Sequence, residues 1–224
     1  MKYKIEVKIE KVCKEVWKKI IHVHEYTKHI TLKAEEFDES FKTFIQPFNE
    51  LRNTLEHIIR ANSVIIGIND CEDSKYIDKN LDKALGHEYR AFFDSVDWLS
   101  MSLRDRIIET LKPFHHEAIS KAIPDYYSNI RPRIDEIGNE IARLREEKDI
   151  ANGSELMIEV EHYKEILDEL FDIDKKIRNS VSAVIEIDKA KKFEPVANII
   201  VSFVAGLLVA LIVYFFKLKS VIVQ

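Results

Sequence analysis

The C-terminal part of the chain carries its longest apolar segment. Residues 195–216 contain no charged side chain over 22 positions. At about 1.5 Å per residue, a helix of this length spans about 33 Å, which matches the hydrocarbon core of a bilayer. A buried core helix is the alternative, but such a helix usually has a polar stripe, and this segment has only Asn198 and Ser202. We therefore predict a transmembrane helix at 195–216, with Pro195 in its first turn.

Two amphipathic helices are predicted in the first third of the chain. In residues 2–24 the apolar side chains recur at intervals of three and four, which is helical spacing. An alternating pattern at the start of this segment also fits a strand, but no partner strand follows. A second helix is predicted at about 37–66, with a restart at Pro47 left open. Its apolar face, which we expect against the core, consists of Phe44, Phe48, Leu51, Leu55, Ile58, Asn62, Ile65 and Ile66.

A third helix is predicted from about Ile77 to Leu111. One apolar stripe follows its whole length at helical spacing. The stripe consists of Leu81, Leu85, Tyr89, Phe92, Val96, Leu99, Leu103 and Ile107. Beyond this helix, Pro113, Pro124 and Pro132 interrupt the pattern, so we predict an irregular segment there.

A helical hairpin is predicted between this irregular segment and the membrane. A short helix starts near Arg133, Asn152-Gly153 marks a turn, and a long helix runs from Glu155 to about Phe193. The apolar positions of the long helix have the spacing of a coiled-coil seam, so we expect a stalk about 58 Å long. The seam consists of Tyr163, Ile166, Leu170, Ile173, Ile177, Ser180, Val184 and Ile187.

Composition narrows the fold class. Glycine and proline number 5 each in 224 residues, where average usage gives roughly 27 in all. This scarcity excludes a β-sandwich, which needs many tight turns, and a nucleotide-binding α/β fold, which needs glycine loops. A hydrophobic content of 46% excludes global disorder. We predict an all-α protein with a cytoplasmic helical bundle head at 1–127, a hairpin and coiled-coil stalk at 128–194, the transmembrane helix at 195–216 and a short tail at 217–224.

The distribution of charge predicts an orientation in the membrane. Lys189, Lys191 and Lys192 lie just before the apolar segment, whereas only two lysines follow it. Basic residues are retained on the cytoplasmic side, and the N-terminus shows no apolar leader. We therefore expect a single-pass, tail-anchored protein with its N-terminal bulk in the cytoplasm and residues 217–224 exported. The net charge of −5 argues against a broad nucleic-acid-binding surface.

The strongest candidate for chemistry is the string Arg52-Asn53-Thr54-Leu55-Glu56-His57 in the second helix. This R-N-x-x-x-H string resembles the RxxxxH motif of HEPN-type all-helical domains, many of which are metal-independent RNases of defence, toxin–antitoxin and stress systems. The resemblance implies that Arg52 and His57 of two protomers meet at a dimer interface as catalytic residues, with Asn53 supporting them. An imidazole moves protons near neutral pH, and a guanidinium stabilises a charged phosphorane. The alternative interpretation is an ion pair between Arg52 and Glu56 on a solvated face.

Two polar helix faces form a second candidate site. Each lies opposite the apolar stripe of its helix, and the face on the third helix carries a tryptophan. A tryptophan there suggests a second packed surface, either a dimer interface or a cleft wall. We expect the two faces to form one polar seam between protomers; the alternative is an ordinary solvated surface. The residues are His87, Arg90, Asp94 and Trp98 on the third helix and Asn53, His57 and Arg60 on the second.

No metal site and no cofactor site is expected from the sequence. Cys13 and Cys71 are isolated from each other, as in a reduced cytoplasm and unlike a disulfide framework or a zinc site. His22 and His24 lie about 200° apart on a helix, so they do not bind one metal ion. The chain also has no glycine-rich phosphate loop and no nucleophile elbow.

Two functions remain open at this point. The first is an oligomerising interaction or scaffold module, anchored in the lipid bilayer and binding a protein partner at the cytoplasmic face. The alternative is a membrane-tethered HEPN-like RNase or RNA-binding effector, and only this alternative makes RNA a partner. Self-association as a dimer or higher assembly is expected through the stalk seam and through one face of the membrane helix. That face consists of Asn198, Ser202, Gly206 and Ala210.

Overall fold

The structure, a computed structural model, describes residues 2–37, 44–71, 73, 75–147 and 156–222. In that part of the chain the elements are helices and turns, without a strand, which confirms the all-α class. The turn predicted at Asn152-Gly153 lies outside the described residues. The helices are α1 (Lys2–Phe37), α2 (Ile45–Ile65), α3 (Tyr76–Leu111), α4 (His116–Ala122), a π-helical turn (Tyr126–Ile130), α5 (Arg131–Glu147) and α6 (Leu156–Ile222).

Helix α3 forms the centre of the head. The apolar stripe predicted along it is confirmed, because all its members are buried except Leu85, which is half-buried. The flank of α3 next to this stripe is buried as well, where the small residues Ala84, Ala91 and Ser95 let neighbouring helices come close. Trp98, on the polar side of α3, is half-buried and its ring meets that of Phe44, which directly precedes α2 in the same chain.

Helix α2 packs antiparallel to α3. The hydroxyl of Thr54 donates a hydrogen bond to the carbonyl oxygen of Ala84 over 3.3 Å. Further along α2, the His57 ring donates to the Asn80 side-chain oxygen over 2.9 Å. Residue numbers thus rise in α2 while those of its partners fall in α3.

The face of α2 that packs inward differs from the predicted one. The buried residues are Pro47, Thr54 and Ala61, which recur every seven positions and are compact enough for close helix contact. This inward face is rotated from the centre of the predicted apolar face by about 80° at 100° per residue. Leu51 and Ile58 consequently remain half-buried. The rest of the predicted face is exposed, namely Phe44, Phe48, Leu55, Ile65 and Ile66, with Asn62 half-buried.

Helix α6 runs parallel to α3 and contributes to the core of the head. The rings of Phe92 and Tyr163 meet edge to face, with centroids 6.3 Å apart. Nearer the membrane segment, Arg106 donates to the Asp174 carboxylate over 3.1 Å. Residue numbers rise together in both helices, so α3 and the first half of α6 share one direction.

The seam predicted on α6 is covered by the chain itself. Tyr163, Ile166, Leu170, Ile177 and Val184 are buried against α1, α3, α4 and α5. The expectation that this seam needs a second copy is therefore wrong, because elements distant in sequence cover what the short upstream helix does not. A second copy is thus not needed to bury the stalk seam.

The apolar segment predicted to cross a membrane is the C-terminal continuation of α6. Among the described residues, α6 is the one helix long and apolar enough to cross a membrane; its most apolar window has a mean hydropathy of 2.7 and none of it is buried. The backbone stays helical through Pro195, so this proline lies inside a 67-residue helix and not in the first turn of a separate one. At about 1.5 Å per residue, α6 is about 100 Å long.

The segment predicted to be irregular holds α4, and α6 fixes the position of α4. The Asp188 carboxylate accepts a hydrogen bond from the backbone N–H of His115 over 3.0 Å and another from its ring over 2.6 Å. The Lys192 ammonium lies 2.7 Å from the same carboxylate. The backbone hydrogen bond from His115, followed by those of Lys192 and the ring, holds the pKa of Asp188 well below its ordinary range. These contacts attach α4 to α6 directly before the membrane segment.

Candidate functional site

The predicted catalytic pair is not brought together within one chain. Residues five apart on a helix point about 140° away from each other, so Arg52 and His57 lie on different faces of α2. Arg52 is exposed, whereas His57 is half-buried against α3. The ion pair predicted between Arg52 and Glu56 is also absent from the described residues, because the Glu56 carboxylate pairs with Arg60 on the next turn. A composite site formed by two protomers stays a prediction.

A charged cluster joins α2 to α3 at the position of the predicted polar seam. Oε2 of Glu50 lies 2.6 Å from Nδ1 of His87 and accepts a hydrogen bond from Nε of Arg90 over 2.9 Å. Partial burial raises the pKa of Glu50, but the hydrogen bonds from His87 and Arg90 outweigh it and hold this pKa below its ordinary value. The carboxylate is thus ionised at neutral pH and compensates the guanidinium.

The two histidines of the predicted seam stack on each other. The rings of His57 and His87 lie with centroids 5.4 Å apart and an interplanar angle of 17°. Asn80, which is buried, orients the His57 ring through its side-chain oxygen and donates to the backbone oxygen of Tyr76 over 2.9 Å. The two polar faces therefore meet within one chain, while a contact of this seam with a second protomer stays a prediction.

The remaining predicted seam residues lie around this cluster. Asn53 is half-buried on α2, while Arg60 is exposed and paired with Glu56. Asp94 is half-buried on α3; the hydrogen bond to Asp97 raises the pKa of Arg145 of α5, and the charge of Asp94 adds to this shift. The Trp98 ring lies 5.9 Å from that of Phe44 at the start of α2.

Two residues of the cluster, Glu50 and Asn80, are not among the site residues predicted from the sequence. Glu50 precedes Thr54 by one turn and His57 by two, so the same helical spacing that predicted the apolar face places all three on one side of α2. That signal was available in the sequence. Asn80 had no such signal, because its role depends on the antiparallel register of α2 and α3.

The outer surface of α2 carries an apolar stripe that the head does not cover. Phe48, Leu55, Ile59 and Ile66 are 38%, 57%, 57% and 67% exposed. Arg52 and Asn62 complete this stripe, and its six residues are separated by four, three, four, three and four positions. We call these six residues the outer stripe of α2. Arg52, which the motif had assigned to catalysis, lies between Phe48 and Leu55 on it.

The predicted interface residues of the membrane helix are all exposed. Asn198, Ser202, Gly206 and Ala210 follow one another every fourth position along α6. A Cβ atom added at Gly206 meets nothing within 4 Å. This face of the helix is therefore open to lipid or to another helix.

Neither a metal-binding cluster among the described residues nor a similar protein indicates which reaction the chain could catalyse. Across the described ranges, His, Cys, Asp and Glu side chains form no group of three or more that could hold a metal ion. His22 and His24 instead lie 3.5 Å from Glu161 and 3.1 Å from Glu88. Comparison with protein-family models, with curated proteins and with solved structures finds no match.

Proposed function

We propose that the chain is a single-pass membrane protein whose helical head is an interaction module for a partner protein. Residues 195–216 anchor it, the preceding 194 residues lie in the cytoplasm, and residues 217–224 lie on the far side. The length and apolar character of the end of α6 support the anchor. The lysines before this segment support the orientation.

The observation that carries the proposal is the outer stripe of α2. The head buries large side chains along α3 and α6, yet leaves the four apolar members of the outer stripe in solvent. An aligned set of exposed apolar side chains of this kind often serves as a binding site for another protein. Helix-in-groove and coiled-coil partners use this 3–4 spacing for their anchors.

Site-specific photocross-linking in the native membranes tests this proposal. A photoreactive amino acid is placed at Leu55, on the outer stripe, and separately at Met101 of α3, which is similarly exposed at 52% but lies outside the stripe. We expect a discrete protein adduct of the membrane fraction for Leu55 and none for Met101. The absence of an adduct at Leu55, or the same adducts at both positions, would contradict the interaction module.

We assign self-association to the membrane helix alone. The open face around Gly206, with its small neighbours Ser202 and Ala210, supports close approach of two such helices, and Asn198 can add a hydrogen bond between them. Gly206→Leu should shift the detergent-solubilised protein toward monomer in sedimentation velocity. Leu207→Ile, on a different face, is the matched control. A wild-type protein that is already monomeric would overturn this assignment.

An RNase or RNA-binding activity is the second candidate, and the stacked histidines favour it. His57, His87 and Arg90 bring two imidazoles and a guanidinium into one half-buried cluster, and these groups transfer protons and bind phosphate. If the purified chain cuts RNA, His57→Ala and His87→Ala should each abolish most of the cleavage, with little further loss in the double variant. RNA left intact by the wild-type chain, or cut equally by the double variant, would reject this candidate.

A further inference from the structure

We infer that the outer stripe of α2 binds an amphipathic helix of a different protein, and that this helix sets an acidic side chain against Arg52. The inference rests on the proposed function and names the partner's chemistry. The 4-3-4-3-4 spacing of the stripe is that of one seam of a coiled coil, with apolar residues at four of six positions. A single facing helix covers such a seam, since both helices then present their knobs at the same intervals.

The height of the stripe above the membrane excludes lipid as its occupant. Arg52 lies between Glu50 and Thr54, whose partners on α3 are Arg90 and Ala84. The neighbouring residue Phe92 meets Tyr163 of α6. Tyr163 precedes the membrane segment by about 32 residues of continuous helix, which at 1.5 Å per residue is about 48 Å. The stripe therefore points into the cytoplasm, well beyond the lipid headgroups.

A second copy of the chain fits the stripe poorly. α2 is antiparallel to α3, and α3 is parallel to α6, so α2 lies along the axis of the anchoring helix. Two copies in one membrane, related by a twofold axis along its normal, would present parallel α2 helices at equal height. In a parallel pair each residue of the outer stripe meets the same residue of the other copy, so Arg52 would face Arg52 inside an apolar contact. Like charges placed in this way disfavour the pairing.

Charge complementarity identifies what the partner offers instead. Arg52 is exposed, and none of the described acidic side chains pairs with it, because Glu56 one turn away is held by Arg60. A guanidinium covered by an apolar helix requires a carboxylate, which it binds through two parallel hydrogen bonds. Asn62, the other polar position of the stripe, can fix the register of the same helix by a hydrogen bond.

Binding of two designed helical peptides to the full chain in detergent micelles tests the inference. Both peptides carry leucine at the first, third, fourth and sixth of six facing positions. One peptide has glutamate at the second and fifth positions, and the other has lysine there. A charged residue therefore faces Arg52 whether the peptide binds parallel or antiparallel to α2. Fluorescence anisotropy should show that the glutamate peptide binds at least about tenfold more tightly than the lysine peptide, as expected for replacing like charge by a charge pair. Arg52→Glu should reverse the preference. The matched control Arg60→Glu, on the same helix but outside the stripe, should leave it unchanged.

Three other results have distinct meanings. If both peptides bind equally and Leu55→Glu abolishes their binding, the interaction surface stands and the acidic partner is wrong. If neither peptide binds, both the inference and the proposed function are overturned. Ile59→Cys, in a chain whose Cys13 and Cys71 are replaced by serine, should give no disulfide-linked dimer in membranes. Efficient cross-linking of two copies there would show that a second copy occupies the stripe, and would overturn the inference.

Discussion

Replacing Glu50 by glutamine removes the charge that holds α2 against α3 without changing the size of the side chain. The Glu50 carboxylate is only 21% exposed and lies 2.6 and 2.9 Å from donors of His87 and Arg90. Hydrogen bonds to charged groups contribute about 1.5–3 kcal/mol each when buried, and partial exposure reduces this value. We therefore expect Glu50→Gln to lower the free energy of unfolding by about 2 kcal/mol at pH 7.

Glu56→Gln is the matched control for this prediction. Glu56 lies on the same helix and also pairs with an arginine, but both side chains are more than half exposed. An exposed pair of this type contributes less than about 0.5 kcal/mol. The two substitutions are chemically identical, so the difference between them measures the environment of Glu50.

The pH dependence of the difference follows from the pKa of Glu50. That pKa is lower in the folded chain than its ordinary value of 4.5. The stabilisation by the ionised group is therefore fully present above pH 4.5, and it is lost as the pH falls through the lower folded pKa. The wild-type chain and Glu50→Gln should become equally stable in acid, since a protonated carboxyl resembles an amide.

Tryptophan fluorescence during urea unfolding measures this in the full chain. The two tryptophans, Trp17 and Trp98, are both in the head, so the signal is independent of the membrane segment. Equal losses for Glu50→Gln and Glu56→Gln at pH 7 would refute the reasoning. A gap that persists undiminished down to about pH 3 would refute it as well.

Three further predictions concern packing and the contact near the membrane. Phe93→Ala should lower the free energy of unfolding by about 3–5 kcal/mol, because the ring is buried against Tyr163 and its removal leaves a cavity. Urea unfolding measures this loss, and a value below about 1 kcal/mol would contradict that packing. Ala61→Leu should cost about 1–3 kcal/mol by the same assay, since no space exists between α2 and α3, and a neutral result would contradict the observed rotation of α2. Asp188→Asn should increase hydrogen exchange of the first amides of α4, because the carboxylate accepts from the His115 backbone N–H; unchanged exchange would show that other contacts hold α4.

The parts of the fold that the sequence predicted are those in which hydrophobic periodicity is decisive. α3 is buried along a stripe of eight apolar residues, and few other structures are compatible with so long a 3–4 pattern. The apolar run after Pro195 is equally clear in the sequence, and its described part is an exposed stretch of α6. The continuity of α6 through that proline was not predicted, since proline is favoured in the first turn of a helix and removes a backbone hydrogen bond in the interior of one.

The rotation of α2 shows why the candidate site was predicted only in part. The hydrophobic pattern placed Phe48 and Leu55 against the core, but the contact with α3 is set by the compact residues Thr54 and Ala61, to which hydropathy gives little weight. The same rotation turns His57 inward and leaves Arg52 in solvent. The contacts of His57 with Asn80 and His87 depend on the register of α2 against α3, which no local sequence pattern specifies.

The height and direction of the outer stripe follow from the membrane topology that we propose for α6. Labelling with a membrane-impermeant maleimide tests it directly on oriented vesicles. One variant keeps only the exposed thiol of Cys71, through Cys13→Ser. A second carries Gln224→Cys with both natural cysteines replaced by serine. We predict that Cys71 is labelled only from the cytoplasmic face, that the thiol introduced at position 224 is labelled only from the opposite face, and that neither variant is removed from the vesicles by carbonate. Labelling of both positions from the same face, or release by carbonate, would contradict a single membrane-spanning anchor.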